Sequence, residues 1–304
     1  MGLVLAALIV IGLAGLILRL VSTESNELTL DGILPVTPEV INKVTISGDF
    51  DETTLVKVAG IWQIGRDLTF DDRMDALWGT VREIDGAQLI AVNPASHSRM
   101  GVQDGQGVRV SFYRGEFIQE EFIVGVWTPE VRFCYMRRPG KDEVYGVPCP
   151  FTNIFDPDPN SWRNPVVTSI PRGEIDRIEF AYPDEEFVLA PGGRRWTVDD
   201  GSGIEPASLF VMEGILRNIE RLIAGDFATP QEANGLDFNG PDAISIRIIT
   251  GPDAFSPTTR VRFLPRDDLS YYAKTPVQST VFILGNTVTE LLLLRAQDII
   301  APGG

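Results

Sequence analysis

VTISGDFDETTLVKVAGIWQI, residues 44–64, and IEFAYPDEEFVLAPGGRRWTV, residues 178–198, read as two renderings of one pattern, and that doubling decides how the chain is built. Trp62 and Trp196 stand 134 residues apart, and so do Gly101 of RMGVQDG (99–105) and Gly235 of ANGLDFNG (233–240). Between these anchors the apolar positions keep step. At an offset of 135, Met74, Leu77, Val81 and Ile84 meet Leu209, Met212, Leu216 and Ile219; at 133, Leu89-Ile90-Ala91 meets Leu222-Ile223-Ala224. A repeat of this length sets the architecture before any single element does. The expectation is an α+β chain: an N-terminal transmembrane helix, then two tandem copies of one unit. Each unit is an antiparallel strand meander with one main amphipathic helix.

In the first unit Val44 and Ile46 alternate with polar residues, and Leu55-Val56 and Ile61 to Ile64 add short strands. Asp71 or Asp72 is expected to cap a helix whose stripe is Met74, Leu77, Trp78, Val81 and Ile84, closed by Gly86. Strand patterns through Val108/Val110/Phe112, Phe122/Val124/Val126 and Val131/Phe133/Tyr135 follow, separated by turn residues. The second unit repeats the plan. Its helix is expected to start at Pro206 and to carry Leu209, Met212, Leu216, Ile219 and Ile223 on one face. Trp62 and Trp196, in matching strands, are expected to be core aromatics under the paired helices, and Gly101 and Gly235 to occupy matching turns.

The resulting division is an anchor at 1–21, a linker at 22–43, a first unit at 44–155, a Pro-rich bridge at 156–174, a second unit at 175–300 and a tail at 301–304. The anchor rests on GLVLAALIVIGLAGLIL, residues 2–18, which has no polar side chain and is followed by Arg19. A helix rising about 1.5 Å per residue crosses a hydrocarbon core of roughly 30 Å with some twenty residues. No small-x-small cleavage site follows, so the segment reads as uncleaved. Gly12 and Gly15 share a helix face that admits a close neighbour. A formal net charge of −16 argues against nucleic acid, whose binding needs clustered Lys and Arg. Arg19 after the segment and the acids Glu24, Glu27 and Asp31 pull orientation in opposite directions, so charge alone leaves it open.

Chemistry is hard to find. His97 is the single histidine, in a loop with no metal-ligand partners at the right spacing and no nucleophile elbow. Asp156-Pro-Asp158-Pro-Asn160 opens like a calcium loop but has Ser161 and Val167 where Gly and Glu are needed. Asp199-Asp200-Gly201-Ser202-Gly203 and Gly192-Gly193 are turns, and no phosphate-cradling glycine motif stands between a strand and a helix. No catalytic residue, cofactor, metal or small-molecule ligand is therefore expected. Cys134 and Cys149 flank the turn PGKD and fall near each other across a hairpin. They are either joined, in an oxidising compartment, or a reduced pair in a cytosolic body.

Gly-Ile-Trp-Gln-Ile at 60–64, Met-Gly-Val at 100–102, Arg-Arg-Trp-Thr-Val at 194–198, Asn-Gly-Leu at 234–236 and Val-Phe-Ile-Leu at 281–284 carry a likeness. With the apolar N-terminal segment, they make the chain resemble the family called domain of unknown function 4340, over roughly Val44 to Ile300. Pro148 and Pro150 depart from its pattern by interrupting the end of the first unit. The resemblance implies a single-pass, membrane-anchored protein with its body on the extracytoplasmic, periplasmic side, often encoded beside ABC-type transport systems of the gliding-motility class. The function expected is a non-catalytic accessory or scaffolding subunit binding a larger integral-membrane complex. The alternative is a cell-envelope polymer-binding or hydrolytic surface protein, with the acidic loops around Asp156 and Asp199 as its site.

Overall fold

The computed structural model describes residues 36–128, 130, 132–251 and 257–302. Among them no helix is long and apolar enough to cross a membrane. The proposed anchor at 2–21, with Gly12 and Gly15, and the first part of the linker lie outside the described residues. The rest is mixed α+β with antiparallel sheets and few helices, and it divides into two compact units between Arg163 and Asn164. That division falls inside the Pro-rich 156–174 stretch. Trp162 is wholly buried in the first unit's core, and Val167 and Ile170 belong to the second's.

The first unit runs β1 (Lys43–Ser47), β2 (Glu52–Val58), β3 (Ile61–Ile64), β4 (Asp67–Leu68), α1 (Asp71–Arg82), β5 (Gln88–Ala91), α2 (His97–Met100), β6 (Val108–Arg114), β7 (Phe117–Thr128), β8 (Phe133–Arg137) and β9 (Val144–Pro148). Its described strands form one sheet in the order β4-β3-β2-β1-β6-β7-β8-β9-β5. Side-chain alternation puts Val44, Ile46, Leu55, Val110, Phe112, Phe122 and Val124 on one face, where they pack against Met74, Leu77, Trp78 and Val81 of α1. Full burial of each such side chain contributes about 1.5–3 kcal/mol, so this helix is held by its stripe rather than by propensity. The helix begins at Asp71, with Phe70 at the cap position, so neither aspartate is the cap. Both lie in the first turn, where their charge suits the helix dipole.

Part of the opposite face has its own small core. Met100, the last residue of α2, and Val102, in the loop after it, cover Ile123 and Val144, with Ala91 and Tyr135 beside them. The turn is made at Gly101, whose φ of 67° is a left-handed conformation that suits glycine.

The second unit runs β10 (Val166–Thr168), β11 (Ile175–Ala181), β12 (Glu186–Gly192), β13 (Arg195–Asp199), β14 (Ile204–Pro206), α3 (Leu209–Glu220), β15 (Leu222–Ile223), β16 (Asp226–Phe227), α4 (Pro230–Ala233), β17 (Ile244–Thr250), β18 (Thr258–Asp267), β19 (Ser270–Lys274), β20 (Phe282–Gly285), α5 (Asn286–Leu292) and α6 (Ala296–Ile299). Its main sheet has the order β14-β13-β12-β11-β17-β18-β19-β20-β16, with β10 and β15 paired apart. Position for position, this order matches that of the first sheet. Ile178, Phe180, Phe187, Leu189, Ile246, Val261 and Phe263 face Met212, Ile215, Leu216 and Ile219 of α3. On the other face Leu236 and Phe238, from the loop after α4, pack with Leu264, Tyr272, Val281 and Ile283.

Four local expectations need correction. Pro206 ends β14, and α3 starts three residues later, because Trp196 and Ala301 draw Ala207 and Pro206 into backbone hydrogen bonds that extend the sheet edge. Leu209 is largely exposed and Ile223 is partly so, so neither belongs to the buried stripe. Counted from their first residues, the helices match Met74 with Met212, Leu77 with Ile215, Trp78 with Leu216 and Val81 with Ile219. That spacing of 138 residues is three longer than the offset of 135 read from the sequence. The shared Leu-Ile-Ala is likewise not an equivalence: Leu89-Ile90-Ala91 lies in β5 beside β9, whereas Leu222-Ile223 pairs with β10. The edge place beside β20 belongs to β16.

Candidate functional site

Strand alternation leaves the uncovered half of the second unit's sheet with a polar row. Asp199, Val188, Glu179, Arg247 and Arg260 stand opposite one another in register across β13, β12, β11, β17 and β18. They line a cleft of about 730 Å³ together with Arg177, Ser245, Glu186 and Asp200. Glu179 sits at its centre, only 15% exposed, and its carboxylate is clamped by Arg177 on one side and Arg247 on the other. Two guanidinium forks on one carboxylate orient all three side chains and hold charge at a fixed place on the sheet.

The acidic rim of this cleft is occupied with its own turn. Asp199 accepts from the Gly201 N–H at 3.0 Å, and Asp200 accepts from both the N–H and the hydroxyl of Ser202 at 2.9 and 2.7 Å. The Ser202 hydroxyl, with the backbone behind it, holds the Asp200 carboxyl below its ordinary range. Ser245 is the one hydroxyl in the described lining with a nucleophile's chemistry, and no histidine or lysine lines the cleft beside it. The arrangement suits recognition of charged groups.

A second cleft, of about 610 Å³, lies over Tyr182, Gly235, Asp237, Asp242, Tyr271 and Arg295. Arg295, just before α6, forms ion pairs with Asp184 at 2.6 Å and Glu185 at 3.2 Å, and its guanidinium lies 4.2 Å from the centre of the Tyr182 ring. The Tyr182 hydroxyl donates to the Leu294 carbonyl at 2.8 Å. Burial pushes this phenol well above its usual range, the nearby Arg295 charge opposing only in part. Such a group stays a neutral hydrogen-bond donor and fastens the C-terminal segment to the β11–β12 turn.

The other sequence candidates are braces. His97 is buried, with Nε2 2.9 Å from the Asp142 carbonyl oxygen, so it donates there and ties its loop to the turn before β9. Asp156, in the first unit, accepts from the Ser161 hydroxyl at 2.7 Å and the Asp158 N–H at 3.0 Å, and lies 3.7 Å from Arg73. Arg73 is itself packed against the rings of Phe151 and Trp162. Burial lowers its affinity for the proton while Asp156 opposes that trend. The Asp156 and Asp199 loops belong to different units, each closed by its own hydrogen bonds.

Trp62 lies in β3, its ring 5.7 Å from that of Trp78, and Trp196 lies in the corresponding strand β13, partly buried against the second core. Gly235, like Gly101, has a positive φ, here 105°. Cys134 and Cys149 are joined, with Cα atoms 5.7 Å apart, and the bond lies in the first unit's core. Among the described residues no group of His, Cys, Asp or Glu could hold a metal ion.

The arginine row was not legible in the sequence, since Arg177, Arg247 and Arg260 come from three strands that pair at long range. The family model described as "Domain of unknown function (DUF4340)" matches residues 70–239, from the cap of α1 to the loop after α4. No curated protein matches the chain, and no solved structure does.

Proposed function

Because the chain belongs to the DUF4340 family, matched over more than half its length, we propose that it is a membrane-anchored accessory subunit whose extracytoplasmic body binds a larger integral-membrane complex. One observation carries the reading: the Cys134–Cys149 disulfide in the first unit's core. Bonds of this kind persist in oxidising compartments. Joined to the apolar run at residues 2–18, it favours a tethered body outside the cytoplasm. A tether confines the body near its partner and raises effective concentration to about the millimolar range for short linkers. The charged, uncovered row around Glu179 is the surface best suited to such a partner.

The equal strand order of the two sheets, and the matching places of Trp62 and Trp196, support reading the units as copies of one ancestral α+β unit. The alternative function keeps one observation of its own. Arg177, Arg247 and Arg260 on one face suit an envelope polymer bearing acidic groups.

The test uses the full chain in native membranes. A photo-crosslinking residue in place of Val188, in the middle of the row, is expected to give one discrete adduct with an integral-membrane protein. A membrane-impermeant maleimide is expected to label Gly203→Cys in intact cells. Adducts only with polysaccharide, or hydrolytic activity in the monomeric protein, favour the alternative; labelling only after lysis overturns the orientation.

A further inference from the structure

The end of the first unit at which the described chain begins is apolar at its tips, and the opposite end is acidic. Asn42 gathers three segments there. Its N–H donates to the Tyr113 carbonyl at 3.0 Å, its side-chain oxygen accepts from the Gly115 N–H at 2.9 Å, and its carbonyl accepts from the Lys57 N–H at 2.8 Å. The incoming chain from Val36, the β2–β3 turn and the β6–β7 turn are thereby held at one end of the sheet. Register agrees, since Lys43, the first residue of β1, pairs with both Val56 and Tyr113.

These tips expose Val58 and Ile61 on one turn and Phe117 and Ile118 on the other, with Phe117 77% exposed. Beside them are Lys43, Lys57 and Arg114, with Glu39 and Glu116 as the acids. Lys43 is paired to Glu116 at 3.3 Å, and the Lys57 ammonium donates to the Pro38 carbonyl. At the other end of β1 and β2 the turn is Asp49-Phe50-Asp51-Glu52. In a chain of net charge −16, the two ends of β1 and β2 thus differ in charge.

We propose that the Asn42 end of the first unit is seated in the interfacial layer of the bilayer, with Phe117, Ile118, Ile61 and Val58 among the headgroups and upper acyl chains. The proposal rests on the anchor reading above. The first described residues reach this end, Pro38 accepting from Lys57 and Asn42 bonding Tyr113 and Gly115, and the apolar run 2–18 precedes them in the sequence. Apolar tips gain by leaving water at the headgroup–acyl boundary, and adjacent Lys and Arg suit anionic headgroups. The turn at Asp49–Glu52 would be repelled by the same surface. A lipid surface therefore matches both the apolar and the charged part of this end.

The experiment uses the full chain reconstituted in vesicles of phosphatidylcholine and phosphatidylglycerol. Glu116→Cys and Phe117→Cys report the proposed seat and Phe50→Cys, 97% exposed at the far end, is the control. Each is labelled with an environment-sensitive maleimide, the native cysteines being joined. Lipids brominated on the upper acyl chain are expected to quench positions 116 and 117, with a blue shift, and to leave position 50 unchanged. Glu116→Cys removes no apolar side chain, so it reports the seat even where loss of Phe117 weakens it. Absent quenching at 116, or equal quenching at 50, overturns the proposal. An alkaline carbonate wash separates the premises: protein washed from the vesicles refutes the anchor, while retained protein with an unquenched tip refutes only the interfacial seat.

Discussion

Gly125 in β7 passes so close to Met100 that a Cβ placed on it would lie 2.1 Å from the Met100 carbonyl oxygen. The next nearest atom, Val102 Cγ1, would be at 2.7 Å. This contact seats the 100–102 loop on the sheet and closes the small core of Met100, Val102, Ile123 and Val144. Backbone cannot yield as a side-chain tip can. Gly125→Ala should therefore cost on the order of 3 kcal/mol in urea unfolding. Gly214→Ala, within α3 where a Cβ meets open space, should instead stabilise by roughly 0.5–1 kcal/mol. Equal effects from the two would mean that the loop is not seated as described.

Tyr182 should be the last tyrosine to ionise. Its folded affinity for the proton is raised by burial. Its contribution to stability is therefore complete below the unfolded phenol value of about 10 and falls away as pH rises beyond it. An absorbance titration should show one phenol ionising only as the chain unfolds, and Tyr182→Phe should remove that component. The same substitution loses the bond to Leu294 and should cost about 1 kcal/mol near neutral pH.

Cys134→Ser and Cys149→Ser should each destabilise by about 2–3 kcal/mol, the range for a short closed loop. The bond joins positions 15 residues apart and is buried. Untreated native protein should take up no thiol label until it is both reduced and unfolded, as mass spectrometry would show.

Glu232 gives an acid-side signature. The Thr229 N–H and hydroxyl, with help from Arg266 and Tyr272, hold its carboxyl down to about 2. A depressed folded value stabilises above the unfolded value, about 4.3, and that stabilisation is lost as pH falls toward 2. The stability gap between wild type and Glu232→Gln should be widest above pH 5 and narrow steadily below it. A gap independent of pH would mean that the capping contacts of α4 do not form.

Period-two alternation exposed most of the strands in advance, because each sheet buries one face: Val44 and Ile46, or Ile244, Ile246 and Ile248, leave little choice. Trp62 and Trp196 lie partly buried against the cores of their units. The helix register was not legible. A stripe at spacings of three and four looks similar when slid by one turn, so Leu209, at the exposed start of α3, stood in for a buried position. Leu-Ile-Ala misled because identity says nothing of pairing partners. The clefts were less legible still. Glu179 meets Arg247 only because β11 pairs with β17, across more than sixty intervening residues. No local spacing in the sequence records such a meeting.

The strand order has a kinetic meaning. In each sheet the outermost strand beside β9 or β20 is made early in the chain and finds its neighbour late: β5 at Gln88 waits for β9 at Val144, and β16 at Asp226 waits for β20 at Phe282. Closure over such distances raises contact order and slows folding. During synthesis β5 would emerge tens of residues before its partner, leaving its backbone donors and acceptors open to other chains. On the extracytoplasmic reading proposed above, that delay would be met on the far side of the membrane, where the last strand of each sheet arrives to end it.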